Sequence, residues 1–371
     1  MSGFFERVGG WDLQLETKKD FEKCMERIYA WFEGELLDRP PIRFARHNAE
    51  FEMKEYDKAW NSLRERWFDA QYVVDSFAQG VRGKHFHAET FPMFWPNLGP
   101  NVFAACYGVG YEFGETTAWA DESFSLDEYD FPGIDWKSEY LKKLDEMTDY
   151  ALESCSGLFM VGYTDIHPGL DWAAAMFGTQ ELLLAAYDAP QKMRTLGTRA
   201  LGDFFRLYDH FDDKLKKARQ LSVTWMNIPS FQKLHIPSCD FSSMISREHF
   251  REFAYEGLKQ EMEHMDQNIF HIDGKHVALH TDDILTLPKL NAIQWVQGVA
   301  EDEPIMQWVP YIKKIQAAGK GLVVDVTTDE LDDFMDAVNP RGIYLCVSTK
   351  NEEEELEVIK RAEKWAARSR S

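Results

Sequence analysis

Eight short runs of β-branched and aromatic residues punctuate the chain: Pro41–Ala45, Lys84–Ala88, Leu158–Thr164, Val223–Asn227, Asn268–Ile272, Ile293–Gln297, Leu322–Val326 and Ile343–Val347. Each is bounded by polar or turn-forming residues, which predicts strands. Between them the apolar positions follow a helical period, most clearly over Glu50–Ala78, Trp136–Cys155, Pro190–Gln220, Ser246–Gln267, Ile305–Ala318 and Asn351–Ala367. Ser246 is placed to cap one of these helices, and the four glutamates after Asn351 sit on a first helical turn, where the dipole favours negative charge. The last four runs recur at the spacing of strand–helix units. The alternation predicts an α/β fold, a single (β/α)8 TIM barrel over residues 39–371 with an N-terminal helical extension over 1–38. From Glu89 to Asp135, Pro, Gly and Asn cluster without a period, which predicts long βα loops.

Charge narrows the partners. With 63 acidic against 41 basic side chains the formal charge is −22, which repels a nucleic-acid backbone and an anionic membrane surface alike. No apolar run reaches the ~20 residues of a membrane span, and the N-terminal stretch lacks the apolar segment of a secretory signal. The expected location is the cytoplasm. The five cysteines are scattered with no CxxC pair, so no disulfide framework is expected. Aromatic residues reach 14% with 12 Trp. They suit ordinary packing or a pocket for a flat or cationic ligand, with Phe91, Phe94, Trp95, Trp119, Trp295 and Trp308 the ones nearest the expected mouth.

A barrel of this kind carries its chemistry at the carboxyl ends of the strands, so the polar residues just after each run are the candidates. They are Arg46 and Glu50 after the first, Asp165 and His167 after the third, Asn227 after the fourth, His271 and Asp273 on the fifth, Trp295 on the sixth and Cys346 on the eighth. His271 and Asp273 are the sharpest pair. Two apart on a strand, they face the same side, and imidazole with carboxylate serves either as two zinc ligands or as an oriented acid–base pair. His85 with His87, and His276 with His280, read instead as surface pairs.

The runs RPPIRFARHNAEF, DFSSMISREHFREF and FHIDGKHVALHTDDILTLPKLNAIQWVQG together resemble the uroporphyrinogen decarboxylase superfamily. That superfamily holds porphyrinogen decarboxylases and zinc-dependent methyltransferases that exchange methyl groups with corrinoid proteins. The resemblance implies the barrel and two rival chemistries. The decarboxylase motif R-Q-A-G-R-Y becomes Arg46-His47-Asn48-Ala49-Glu50-Phe51, keeping the first arginine and replacing the second with a carboxylate. At about 4 Å that carboxylate would repel a substrate carboxylate by about 1–4 kcal/mol, which disfavours a porphyrinogen. The methyltransferase motif H-x-C becomes His271-Ile272-Asp273, with Cys346 near the position of the distal cysteine. The resemblance therefore implies Zn²⁺ held by His271, Asp273 and Cys346, with His271 and Asp273 at the chemistry. Arg46, Glu50, Asp165, His167, Asn227 and Trp295 would line the substrate site. It also implies a corrinoid carried by a partner protein, and a homodimer is compatible with it. The rivals are a metal-free decarboxylase acting on a small acid and a non-catalytic module that binds a tetrapyrrole or a corrinoid protein.

Overall fold

The computed structural model describes residues 3–46, 58–121 and 124–368. Its centre is a six-stranded parallel half-barrel built from β1 (Ile42–Arg46), β6 (Leu234–His235), β7 (Gln267–Asp273), β8 (Leu290–Val296), β9 (Gly321–Thr327) and β10 (Ile343–Thr349), in the order β1-β10-β9-β8-β7-β6. The strands are buried on both faces, as parallel strands covered by crossover helices must be. On the outer face Phe270, Ile272, Ile293, Trp295, Leu322, Val324, Leu345 and Val347 pack against the surrounding helices. On the inner face Ile269, Ala292, Val323, Tyr344 and Cys346 meet a separate apolar cluster drawn from the N-terminal segment and residues 221–236. The helix Phe21–Phe32 contributes Met25, Ile28 and Trp31 to that cluster, and Trp31 Nε1 donates to Gly342 O at 2.9 Å.

The closed eight-stranded barrel expected from the sequence does not form. Lys84–Ala88 and Val223–Asn227 are irregular, with Ala88 and Asn227 at positive φ. The third expected strand shrinks to β5 (Met160–Val161), which pairs with β2 (Met93–Phe94) as a separate two-stranded parallel sheet. The physical reason lies in who satisfies the backbone. Ile42 N–H donates to Glu89 Oε2 at 2.7 Å, Phe44 N–H to Thr90 Oγ1 at 2.9 Å and Val161 N–H to Gln220 Oε1 at 3.0 Å. Side chains thus take the places that neighbouring strands would fill. Single backbone bonds, Glu89 N to Ile42 O and Tyr163 N to Val223 O, join the pieces without a ladder.

Elsewhere the helical periods hold. Helices run over Glu139–Ser154, Pro190–Arg199, Leu201–Lys217, Tyr255–His264, Val309–Ala317 and Glu352–Arg368. Ser246 caps as expected, its side chain accepting from His249 N. The expected helix from Glu50 begins outside the described residues and reappears as Leu63–Trp67 and Ala70–Val81. Two helices lack a sequence signal: in Gly169–Phe177 and Thr179–Asp188 apolar residues lie on most sides, so no stripe stands out. The stretch expected as loops holds the short helix Val102–Ala105 and an antiparallel hairpin, β3 (Gly110–Phe113) with β4 (Ala118–Asp121). Among the described residues no helix is long and apolar enough to cross a membrane.

The start of β1 is tied down by charge. The Glu89 carboxylate is fully buried and accepts from Arg27 at 3.1 Å, from Arg39 at 2.7 and 3.2 Å and from Ile42 N. Removing it would strand the buried Arg39 guanidinium, whereas Arg27 would keep Asp38 at 2.6 and 2.7 Å. Glu89→Ala should cost about 3–5 kcal/mol in urea unfolding, the range for breaking a buried pair from one side. A loss below 1 kcal/mol would show that Arg39 is satisfied without it.

Candidate functional site

Strand alternation places His271 and Asp273 together on the inner face at the carboxyl end of β7, as their spacing requires. The third member of their group comes from elsewhere. After β6 the chain turns through Ser238 and Cys239 into a short 3₁₀ helix, Asp240–Met244, and brings the Asp240 carboxylate to the pair. One ligand atom from each of Asp240, His271 and Asp273 lies within 4.8 Å of the others.

Neighbours hold each member in place. The Asp171 carboxylate, in the first turn of Gly169–Phe177, accepts from Ser238 Oγ at 2.8 Å, Asp240 N at 3.0 Å and Phe241 N at 2.9 Å. That fixes the loop carrying Asp240. His271 Nδ1 lies 2.7 Å from Gln294 Oε1, its register partner on β8. An amide oxygen only accepts, so Nδ1 carries the proton and Nε2 is left for a ligand. The Trp225 ring stands edge-on to His271, centroids 5.4 Å apart.

A second imidazole adjoins the group. His167 Nε2 is 2.6 Å from Asp165 Oδ1, and Nδ1 is 3.0 Å from Ser238 Oγ. With Ser238 donating onward to Asp171, the line reads Asp165, His167, Ser238, Asp171, and it is fully satisfied when His167 is protonated at both nitrogens. Burial disfavours that charge, but Asp165, helped by Asp171 and Asp240, outweighs it and raises the His167 pKa to about 9. Burial and the nearby Asp171 push the Asp240 carboxyl up to about 6, against the pull of His271 and His167. Deeper, His235 Nε2 lies 3.0 Å from Glu261 Oε1 with both side chains buried. Burial holds His235 well below its ordinary range and lifts Glu261 to about 8, so this pair is neutral, the carboxylic acid donating to the imidazole.

The other sequence candidates are placed differently. Cys346 is on the inner face of β10, in register with Arg43 of β1 and Asp325 of β9. It is not part of the Asp240–His271–Asp273 group. β10 stands three strands from β7, and the Cys346 thiol is not among the ligand atoms that converge within 4.8 Å. Burial, opposed by Arg43, raises the Cys346 thiol to about 11. Trp295 is fully buried on the outer face against Trp308 and Tyr311, ring centroids 4.8 and 4.6 Å away, and is a core residue. Asn227 occupies a left-handed turn, its Nδ2 donating to Phe91 O at 2.9 Å. Arg46 closes β1 opposite Thr349 in the register, and Glu50 lies outside the described residues. His280 is no surface residue: it is buried, stacked on Phe250, and its Nε2 donates to Ser242 O at 2.9 Å.

Beside Asp240 opens a cavity of about 420 Å³ whose walls include Trp119, Ala174, Ala175, Met244, Asp171 and His167. Of the aromatic residues singled out near the mouth, Trp119 lines it, while Phe91 and Phe94 are buried in the cores. The sequence signals for Asp240 and Gln294 were weak. Asp240 follows the fourth run in a polar stretch, and Gln294 is one polar residue inside an apolar strand. Compared with protein-family models the chain matches none, and compared with curated proteins it likewise matches none.

The raised His167 pKa makes a prediction about stability. The folded protein holds the proton more tightly than the unfolded chain, so this contribution is complete below pH 6.5 and disappears as pH rises through about 9. Between those limits wild-type unfolding free energy should fall by about 1–3 kcal/mol more than that of His167→Gln. Parallel pH profiles of the two proteins would disprove the assignment.

Proposed function

We propose that the chain is a metal-dependent enzyme of the zinc- and corrinoid-linked methyltransferase type, with its metal held by Asp240, His271 and Asp273 at the mouth of the half-barrel. The observation that carries this reading is the convergence of those three side chains within 4.8 Å. The donor set fits: two carboxylates and an imidazole are ordinary zinc ligands, and three protein ligands leave a position open for a reacting atom. Gln294 behind His271 is the kind of outer partner that metal-bound histidines have. When bound, the ion supplies Lewis acidity to a substrate heteroatom, letting it leave or attack as an anion. Cys346, implied as a ligand by the family resemblance, has no part in this set.

The remaining work falls to the chain's own residues. Asp171 orients the loop of Asp240. His167, protonated and held by Asp165, is a proton donor at the wall of the cavity, placed to hand a proton to a leaving group bound there. The methyl-transfer reading draws on the resemblance of the sequence runs. It calls for a corrinoid protein as partner and suits the cytoplasm, where the five buried free cysteines would stay reduced.

One observation favours a second reading, a metal-free lyase acting on a small acid. Arg43 faces inward beside Cys346, with Asp325 one strand further on, and donates to Met226 O, giving the inner face a guanidinium group of the kind that holds a carboxylate. Full activity after exhaustive chelation would select it.

For the metal reading, calorimetric titration of chelator-stripped protein with ZnCl₂ should show one equivalent bound. His271→Ala and Asp273→Ala should abolish binding, and Gln294→Leu should weaken it about 10–100-fold. Cys346→Ala should bind as wild type. Zinc uptake that survives His271→Ala but is lost with Cys346→Ala would overturn the ligand set.

A further inference from the structure

We propose that a cavity between residues 126–131 and the helix Pro190–Arg199 is a second ligand site, which takes a small uncharged molecule built on one aromatic ring. No residue of its walls belongs to the metal group or to the cavity beside Asp240, so its occupancy is independent of the metal reading.

The cavity holds about 360 Å³, within the range of small-molecule pockets. Leu126 and Leu196 line it with the half-buried rings of Tyr129 and Phe131. The two rings are braced from behind. Tyr129 stands edge-on to Phe177, centroids 5.6 Å apart, and Phe131 lies 5.7 Å from Phe177 and 6.3 Å from Trp172. Phe131 has a positive φ of 50°, in the left-handed region that an aromatic residue rarely adopts. Arg199 holds it there, donating to Phe131 O at 3.3 Å with its guanidinium carbon 5.1 Å from the ring centre. Backbone kept against its preference beside a preformed wall is a feature of ligand clamps. In the helix Gly169–Phe177, Trp172 and Phe177 face these rings, whereas Asp171, Ala174 and Ala175 line the cavity beside Asp240. The helix therefore stands between the two cavities.

The polar groups of the walls are largely matched already. Asp127 and Lys192 pair with each other, Thr195 Oγ1 donates to Gln191 O at 3.1 Å, and Tyr129 OH donates to Tyr107 O at 3.4 Å. An anion or a cation entering here would give up hydration and find its counter-charge already paired. Among the described residues the side-chain amide of Gln191 has no such partner, so it is left to bond one polar group of a ligand. A flat ring gains offset or edge contacts with Tyr129 and Phe131 that a saturated molecule of the same size does not. The walls thus select a neutral aromatic ring bearing one hydrogen-bonding group.

Probes of similar size separate charge from ring: benzyl alcohol, sodium benzoate, benzylammonium chloride and cyclohexylmethanol, each titrated into the whole protein near neutral pH and followed by ligand-observed NMR. Benzyl alcohol should bind saturably, at least tenfold more tightly than either ion and about 2- to 10-fold more tightly than cyclohexylmethanol. Thr195→Trp puts a large side chain into the cavity from an exposed helix position, so it should keep the wild-type circular dichroism and lose the binding. Gln191→Leu should weaken benzyl alcohol about 2- to 10-fold, and it decides alone if Thr195→Trp does not fold. Trp119→Ala and His271→Ala, which alter the other cavity and the metal group, should bind within twofold of wild type. The site is overturned if benzyl alcohol does not bind saturably, or if an ion or cyclohexylmethanol binds as tightly. Wild-type binding by a folded Thr195→Trp, or loss of binding in Trp119→Ala, would place the ligand elsewhere and overturn it too.

Discussion

The buried carboxylate of Glu89 is the constraint on which the arrangement of this molecule depends. Two guanidinium groups and the first amide of β1 converge on it, and its own backbone carbonyl accepts from Tyr344 at 3.2 Å. One residue therefore links the helix Phe21–Phe32, the entry to β1, the irregular stretch after Lys84 and the inner face of β10. A buried ion pair of this kind adds less to net stability than its contacts suggest, because desolvating the ions offsets much of their attraction. Its effect is to specify position. With Glu89 occupying the edge of β1, no second strand can lie there in register, and the sheet stays open along that arc.

That opening shapes the chemistry. The inner face has apolar layers near the amino ends of the strands, where the N-terminal segment covers them, and polar ones toward the carboxyl ends. In one inward row Arg43, Cys346 and Asp325 follow one another across three strands, below Ala45, Ser348 and Thr327, with Asp273 at the carboxyl end of β7. Carboxylates outnumber cations on the β7 side, and the arginine stands on the β1 side. Charge thus changes sign across the half-barrel, and the two proposed chemistries draw on its opposite sides.

How much of this was legible depended on which atoms do the bonding. β1, β7, β8, β9 and β10 read clearly because strands bonded on their ladders and buried on both faces must be short apolar runs. The arc from Lys84 to Asn227 misled for the converse reason: Glu89, Thr90 and Gln220 satisfy backbone groups through side chains, and apolar patterning carries no trace of that. His271 and Asp273 were legible from period two alone. The same alternation excludes Trp295, since it follows Gln294, the inward residue opposite His271. Cys346 also faces inward, but facing inward does not fix position around the curve, and strand order places it three strands away. Asp240 was hidden because its place is set by a tertiary bond from Asp171, in a helix with no stripe to announce it.

The cavity and the ligand group are supplied by different stretches of chain. Asp240, His271 and Asp273 lie within one span of β6, β7 and their connection, whereas Trp119 belongs to the hairpin of β3 and β4, more than a hundred residues earlier. The hairpin contributes no strand to the half-barrel; beyond its four register pairs its tip is held by the helix Leu63–Trp67, Trp67 Nε1 donating to Gly114 O at 2.9 Å and Arg66 binding Glu115 at 2.9 and 2.8 Å. Its anchors are thus on that helix and not on the strands that carry Asp240, His271 and Asp273. In evolution or in the laboratory, the range of accepted molecules and the reaction performed on them would be separable traits, one selected by exchanging the hairpin and the other conserved by the strands beneath it.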